Sequence, residues 1–207
     1  KKIYWHCDGA MDGTEVYVNG QKAGYHESGY TGWDVDLTGL VKPGESNLFA
    51  LRLCKQTPSS DCETGDYQTM GGVYRDTSLI AVPQTHVHDL TVRTTLDSQY
   101  RDARLKVSAK IHNFGAEAAA ARPLTVSLFD TAGKAMPGVR ATAAVPALAP
   151  GEEQEVSVEI PVAHPAKWTA ETPSLYTAVL GLGDHAAPTE LLSQRVGFRK
   201  VEIPGRI

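Results

Sequence analysis

The chain has 207 residues, 20 Lys+Arg against 24 Asp+Glu, a formal net charge of -4 and a hydrophobic share of 42%. That length accommodates one large domain or two small ones, each able to bury a core. The weak acidity argues against a nucleic-acid partner gripped through a basic face and against electrostatic docking on an anionic membrane, and no run of about 18 apolar residues is present to span a bilayer.

In chain order, Lys1 and Lys2 are followed by Ile3, Tyr4, Trp5 and His6, without the apolar stretch of a signal peptide. Val16-Tyr17-Val18 runs into Asn19-Gly20 and then residues 21–26. Asn-Gly accepts positive φ at both central positions, so this segment predicts a hairpin closed by a type I′ turn. Trp33, Val35 and Leu37 alternate with Asp34 and Asp36, predicting a strand with one apolar and one acidic face. Lys42-Pro43-Gly44-Glu45 reads as a turn, residues 48–53 as a largely buried strand, and residues 55–72 as a long polar surface loop. Residues 77–82 form a further strand, ended by Pro83.

The three cysteines are Cys7, Cys54 and Cys62. The odd count leaves at least one without an intrachain partner. Cys54 and Cys62 bracket a polar, turn-rich stretch. A disulfide there implies an oxidising compartment, periplasmic or secreted; free thiols imply a cytoplasmic protein. No Cys-x-x-Cys pair exists, which excludes a zinc knuckle or a thioredoxin-like motif.

From His86 the rhythm is regular. Leu90, Val92, Thr94 and Leu96 alternate with polar neighbours, and Leu105, Val107, Ala109 and Ile111 alternate with Lys106, Ser108, Lys110 and His112. Further candidate strands cover 124–128, 139–145, 156–160, 175–182 and 191–198. About seven short strands in roughly 110 residues is the pattern of an immunoglobulin-like sandwich. The tract 116–121 is Ala-rich but too short for an independent helix and reads as a strand connection.

Few residues suggest self-contained chemistry. His86 and His88 share a strand face beside Asp89, a start for a metal site that lacks an obvious third ligand. Asp34 and Asp36 point the same way, as a glycosidase acid/base pair would, and as any solvated strand face would. No nucleophile elbow, P-loop, dinucleotide fingerprint or His-Glu-x-x-His motif is present. The residues alone describe two β domains without an active site of their own.

The run 16–30, with Asp34-Val35-Asp36-Leu37-Thr38 and Lys42-Pro43-Gly44, resembles the sugar-binding domain of glycoside hydrolase family 2. Gly71-Gly72-Val73-Tyr74-Arg75-Asp76 resembles that family's Gly-Gly-aromatic-Arg-Asp segment. Trp168, Glu171, Pro173, Leu175 and Tyr176 resemble the Trp…Pro-x-Leu-Tyr segment of its immunoglobulin-like second domain, and Gly197-Phe198-Arg199-Lys200-Val201-Glu202-Ile203 its junction into a catalytic barrel. The motifs stand in the family's order over nearly the whole chain. Locally, Thr31-Gly32-Trp33 replaces a common Thr-Pro-Phe, which implies different packing there.

The resemblance implies an all-β fold: residues 1–84 as the C-terminal part of a jelly-roll-like sugar-binding sandwich, and residues 85–207 as an immunoglobulin-like sandwich leading to the barrel. The barrel, which carries the family's two catalytic glutamates, is expected beyond Ile207, and the opening jelly-roll strands before Lys1. The resemblance further implies a non-catalytic fragment, inactive alone, of an enzyme that hydrolyses terminal β-glycosides, in the first place β-galactosides. Its partners would be that carbohydrate and the barrel of the same chain. Asp76 is the implied substrate-binding residue, with a bound cation near it in the parent enzyme. The competing reading is a free-standing carbohydrate-binding or adhesion module, since sandwich folds host many functions.

Overall fold

The computed structural model describes residues 1–63 and 70–202. The chain divides into two compact units, Lys1–Val82 and Pro83–Ile207. Both are built almost wholly of antiparallel strands.

In the first unit, β1 (Lys2–Cys7) is the centre of a three-stranded sheet between β5 (Trp33–Asp36) and β8 (Thr77–Val82). A second sheet has the order β4 (Gln21–His26), β3 (Gly13–Val18), β6 (Phe49–Cys54), and the short β2 (Ala10–Met11) pairs with β7 (Gly72–Val73). The β3–β4 hairpin turns through Asn19 and Gly20 at φ 52° and 82°, as the Asn-Gly signal predicts. The Asn19 amide also donates to the Leu40 carbonyl at 2.9 Å, and its oxygen accepts from the Leu48 amide at 3.0 Å, tying the turn to the following loop. Trp5, Val16, Val18, Val35 and Leu37 form the core, where the Trp5 and Trp33 rings meet edge to face at 5.2 Å. The alternation predicted for β5 holds, with Trp33 and Val35 buried and Asp34 and Asp36 exposed.

Two expectations fail here. Residues 48–53 do not form a buried strand: Leu48 is 70% exposed, and β6 exposes most of its length. Among the described residues β6 pairs only with β3, so an edge position leaves its apolar side chains uncovered. The edge strand β8 behaves likewise, with Leu79 70% exposed. Nor is 55–72 a plain loop. A single helical turn, α1 (Ser60–Glu63), interrupts it and β7 closes it; residues 64–69 lie outside the described residues.

The second unit is a sandwich of seven described strands. One sheet has the order β13 (Glu153–Val162), β10 (Ala103–Asn113), β9 (Thr85–Leu96). The other has the order β12 (Ala135–Val145), β11 (Arg122–Phe129), β14 (Tyr176–Asp184), β15 (Ala187–Val196). Between them Leu105, Val107, Ile111, Leu124, Val126, Leu180 and Phe198 are sealed from solvent. The strict alternation of β10, buried at every second residue, is the period-two pattern read from its sequence. The Ala-rich tract makes no helix; Ala119 bridges to Leu148 instead.

Asn113 fastens this connection. Its side chain is 1% exposed, and its amide donates to the carbonyls of Glu117, Leu148 and Ala149 at 2.8, 3.1 and 3.2 Å. Its oxygen accepts from the Thr85 hydroxyl and the Gly115 amide at 3.1 and 3.0 Å. Removing one buried partner leaves the others unsatisfied, at about 1–3 kcal/mol for each group water does not reach. Asn113→Leu therefore lowers the opening free energy of β10 amides in hydrogen exchange by about 3 kcal/mol. An unchanged exchange pattern would remove Asn113 as the fastener.

Candidate functional site

Asp76 sits immediately before β8, where the chain leaves the segment 71–76. Its placement comes from the turn after β1. The Asp8 amide donates to the Asp76 carbonyl at 3.0 Å, and the amides of Tyr74 and Arg75 both reach the Gly9 carbonyl, at 3.3 and 3.4 Å. The Arg75 guanidinium donates to the carbonyls of Asp8 and Tyr30 at 3.3 and 3.1 Å and lies over the Tyr74 ring at 5.1 Å. The Tyr74 hydroxyl donates to the Gly29 carbonyl at 2.7 Å. Three stretches of chain, 8–9, 29–30 and 74–76, are thus laced into one rim. Only glycine fits at position 9: a Cβ there would stand 2.9 Å from the Gly29 oxygen and 3.0 Å from Arg75.

Arg75 is committed to backbone carbonyls, so it makes no ion pair with Asp76. The Asp76 side chain is exposed and has no hydrogen bond or ion pair among the described residues. An exposed carboxylate on a fixed backbone offers all its acceptor positions outward.

A second group bears on the same rim. His6 Nδ1 lies 2.8 Å from Asp34 Oδ1, and His6 Nε2 lies 3.0 Å from Asp8 Oδ1. Ionised carboxylates only accept, so both ring nitrogens must donate, which selects the imidazolium. The hydrogen bond to Asp34 lifts the His6 pKa above its ordinary 6.5, against the opposing effect of burial and with help from Asp8. His6 thereby ties β5 to the Asp8 turn on which Asp76 hangs. Sequence reading missed His6; its signal is parity, since Lys2, Tyr4 and His6 share the β1 face opposite Asp34 and Asp36.

The other sequence candidates resolve otherwise. Asp34 is held by His6. Asp36 is held by Lys2 and by the Thr38 amide and hydroxyl, at 2.9 and 2.5 Å for the last two. Burial pushes the Asp36 carboxyl up, but the Lys2 and Thr38 hydrogen bonds outweigh it and its pKa falls. Both carboxylates serve the sheet and form no acid/base pair. His86 is buried with Nδ1 2.8 Å from the Pro83 carbonyl, whereas His88 lies 3.3 Å from Glu153 and Asp89 3.3 Å from Lys110. A bulge opposite Lys110 and Ile111 leaves His88 out of register, and the His86 and His88 rings stand 6.5 Å apart. Among the described residues no group of three or more His, Cys, Asp or Glu could hold a metal ion. Cys7, Cys54 and Cys62 are all free thiols, so the Cys54–Cys62 bridge is not formed. Trp33, where Thr-Pro-Phe is common, is buried beneath the stacked His26 ring at 4.7 Å.

Residues 2–83 match the family model described as glycosyl hydrolases family 2, sugar binding domain, and residues 85–199 match glycosyl hydrolases family 2. A β-galactosidase of Priestia megaterium is 34% identical over 97% of this chain and 19% of its own length. A β-galactosidase of Leuconostoc mesenteroides is 33% identical over 91% of this chain and 18% of its own. The crystal structure of a Bacteroides uniformis β-glucuronidase superposes with a TM-score of 0.86 at 27% identity, covering 97% of this chain and 24% of that one. The chain spans about a fifth of the length of the curated relatives it matches.

The His6 geometry gives a pH dependence. A histidine whose folded pKa is raised contributes stability that is fully present below its unfolded value, near 6.5, and is lost as pH rises through the higher folded value. The melting temperature of the wild-type chain therefore exceeds that of His6→Gln below pH 6.5, and the gap narrows toward pH 9. A gap independent of pH would contradict the imidazolium bridge.

Proposed function

Because the chain belongs to glycosyl hydrolase family 2, we propose that it is the non-catalytic sugar-binding and immunoglobulin-like part of a β-galactosidase. The observation that carries this reading is the match of both units, in family order, to β-galactosidases over nearly the whole of this chain and about a fifth of theirs. The parent hydrolyses terminal β-galactosides with retention, through two carboxyl groups on a barrel outside this chain. The 207-residue chain alone does not cleave nitrophenyl β-galactoside.

Within the parent, the rim of residues 8–9, 29–30 and 74–76 presents the Asp76 carboxylate to the sugar. A carboxylate accepts hydrogen bonds from hydroxyls, and its charge makes those bonds stronger than neutral ones. Asp8, Gly9 and Arg75 hold its backbone, and His6 holds Asp8. Asp76 suits a hard cation equally, as one oxygen ligand among several. Among the described residues no group of three or more His, Cys, Asp or Glu gathers there, so a cation at Asp76 would take ligands from the rest of the parent and from solvent as well.

The test uses the full-length parent with nitrophenyl β-galactoside and β-glucuronide. The β-galactoside is preferred, and Asp76→Ala lowers kcat/KM by about 1–3 kcal/mol, or roughly 5- to 150-fold, with little change in melting temperature. Unchanged kinetics with a large drop in melting temperature would make Asp76 a structural residue. Preference for the β-glucuronide would replace the substrate.

A further inference from the structure

The polar segment read from the sequence at 55–72 contains a turn on which the Asp76 rim leans. Residues 57–63 close on themselves. The Thr57 amide donates to the Ser60 hydroxyl at 2.8 Å, and the amides of Ser60 and Cys62 reach the carbonyls of Thr57 and Ser59 at 3.1 and 3.0 Å. The Ser60 hydroxyl in turn donates to Asp12 at 2.5 Å, with Asp12 1% and Ser60 9% exposed. A buried hydrogen bond to a carboxyl group is costly to break, so it pins the turn to the junction of β2 and β3. A second fastening is made at Glu27, whose carboxyl is held below the usual carboxylate range by hydrogen bonds from Tyr25 and Ser59.

Glu63 stands one helical turn beyond Ser60 in α1, so fixing Ser60 fixes where Glu63 can reach. Its carboxylate accepts from the Gly29 amide at 2.8 Å, and the Gly29 carbonyl accepts from the Tyr74 hydroxyl. Among the described residues, both backbone polar groups of Gly29 are thus held by side chains and neither by a strand partner. The residue before it, Ser28, has φ 114°, a conformation that a residue with a side chain keeps only where its surroundings impose it. The far side has no slack either. A Cβ at Gly29 would stand 2.5 Å from the Met11 side chain, itself 1% exposed.

Gly29 is also where the rim closes. Its oxygen is the atom that a Cβ at Gly9 would meet, Tyr74 lies two residues before Asp76, and the next carbonyl, that of Tyr30, accepts from Arg75. A shift of Gly29 therefore moves every stretch that holds the Asp76 backbone. We infer that Glu63 is a positioning residue for Asp76: it sets the rim through Gly29 and Tyr74, and the Asp12–Ser60 clasp holds Glu63 in place. A carboxylate accepting from a backbone amide makes one of the stronger hydrogen bonds, which suits a strained loop with no ladder to hold it. The inference rests on the reading of Asp76 as the residue that meets the sugar.

The first arm of the test needs only the 207-residue chain and reads amide hydrogen exchange. Glu63→Ala speeds exchange at Asp8, Tyr74 and Arg75, the amides that lace the rim, at least tenfold. Glu63→Gln, which keeps an acceptor oxygen, stays within about threefold of the wild type, and the Tyr4 and Trp5 amides of β1 are unchanged in both. Unchanged exchange at the rim overturns the proposal. So does an equal rise at Tyr4 and Trp5, which would make Glu63 a general stabiliser, or a Gln variant as fast as the Ala variant. Should Glu63→Ala not fold, Glu63→Asp, one methylene shorter, is read by the same limits. The second arm uses the parent. Glu63→Ala lowers kcat/KM on nitrophenyl β-galactoside at least fivefold, Glu63→Gln restores it to within about twofold, and Glu63→Ala causes no further loss once Asp76 is Ala. An equal loss in both backgrounds overturns the route through Asp76. Wild-type kinetics in Asp76→Ala would sink the reading of Asp76, while the exchange arm, which uses no substrate, still decides whether Glu63 sets the rim.

Discussion

The first unit depends on one close approach, that of the Gly9 backbone to the chain around Gly29 and Arg75. Two amides converge on the Gly9 carbonyl, and the absent side chain at position 9 lets the Gly29 oxygen and the Arg75 stem come near. Any larger residue would separate 8–9 from 74–76 and free the backbone to which Asp76 is fixed. The exposed carboxylate therefore has a defined position without any side-chain partner of its own. His6 extends the same logic outward, since a cation between two carboxylates ties the sheet to the turn at an exposed place where a single ion pair would contribute little.

The two units hold themselves together differently. The second closes a layer of alternating aliphatic residues between its sheets and seals its loop connection with the buried Asn113. The first has a smaller core around Trp5 and leaves apolar side chains of β6 and β8 open to solvent. Exposed strand edges of this kind are where further strands add.

What was legible in the sequence follows from which signals are local. The Asn19-Gly20 turn and the alternation in β5 and β10 depend on backbone sterics and on side-chain parity, both written in adjacent residues. The exposure of residues 48–53 was not legible, because an apolar run looks the same whether its strand is central or at an edge. The Asn113 network joins positions more than thirty residues apart, and His6 draws Asp34 from another strand, so neither has a short-range signature. Asp76 came from family resemblance. Its surroundings, with Arg75 turned to carbonyls rather than to its neighbour, needed the three-dimensional structure.

The central claim is that the Asp8–Arg75 lacing acts on substrate only by placing Asp76. A double-mutant cycle in the parent enzyme tests it most directly, with Arg75→Gln and Asp76→Ala measured singly and together by kcat/KM on a β-galactoside. The account predicts that Arg75→Gln lowers kcat/KM in the wild-type background and has almost no further effect once Asp76 is Ala, because the group being positioned is gone. Fully additive losses, with Arg75→Gln costing as much in the Asp76→Ala background as in the wild type, would contradict it.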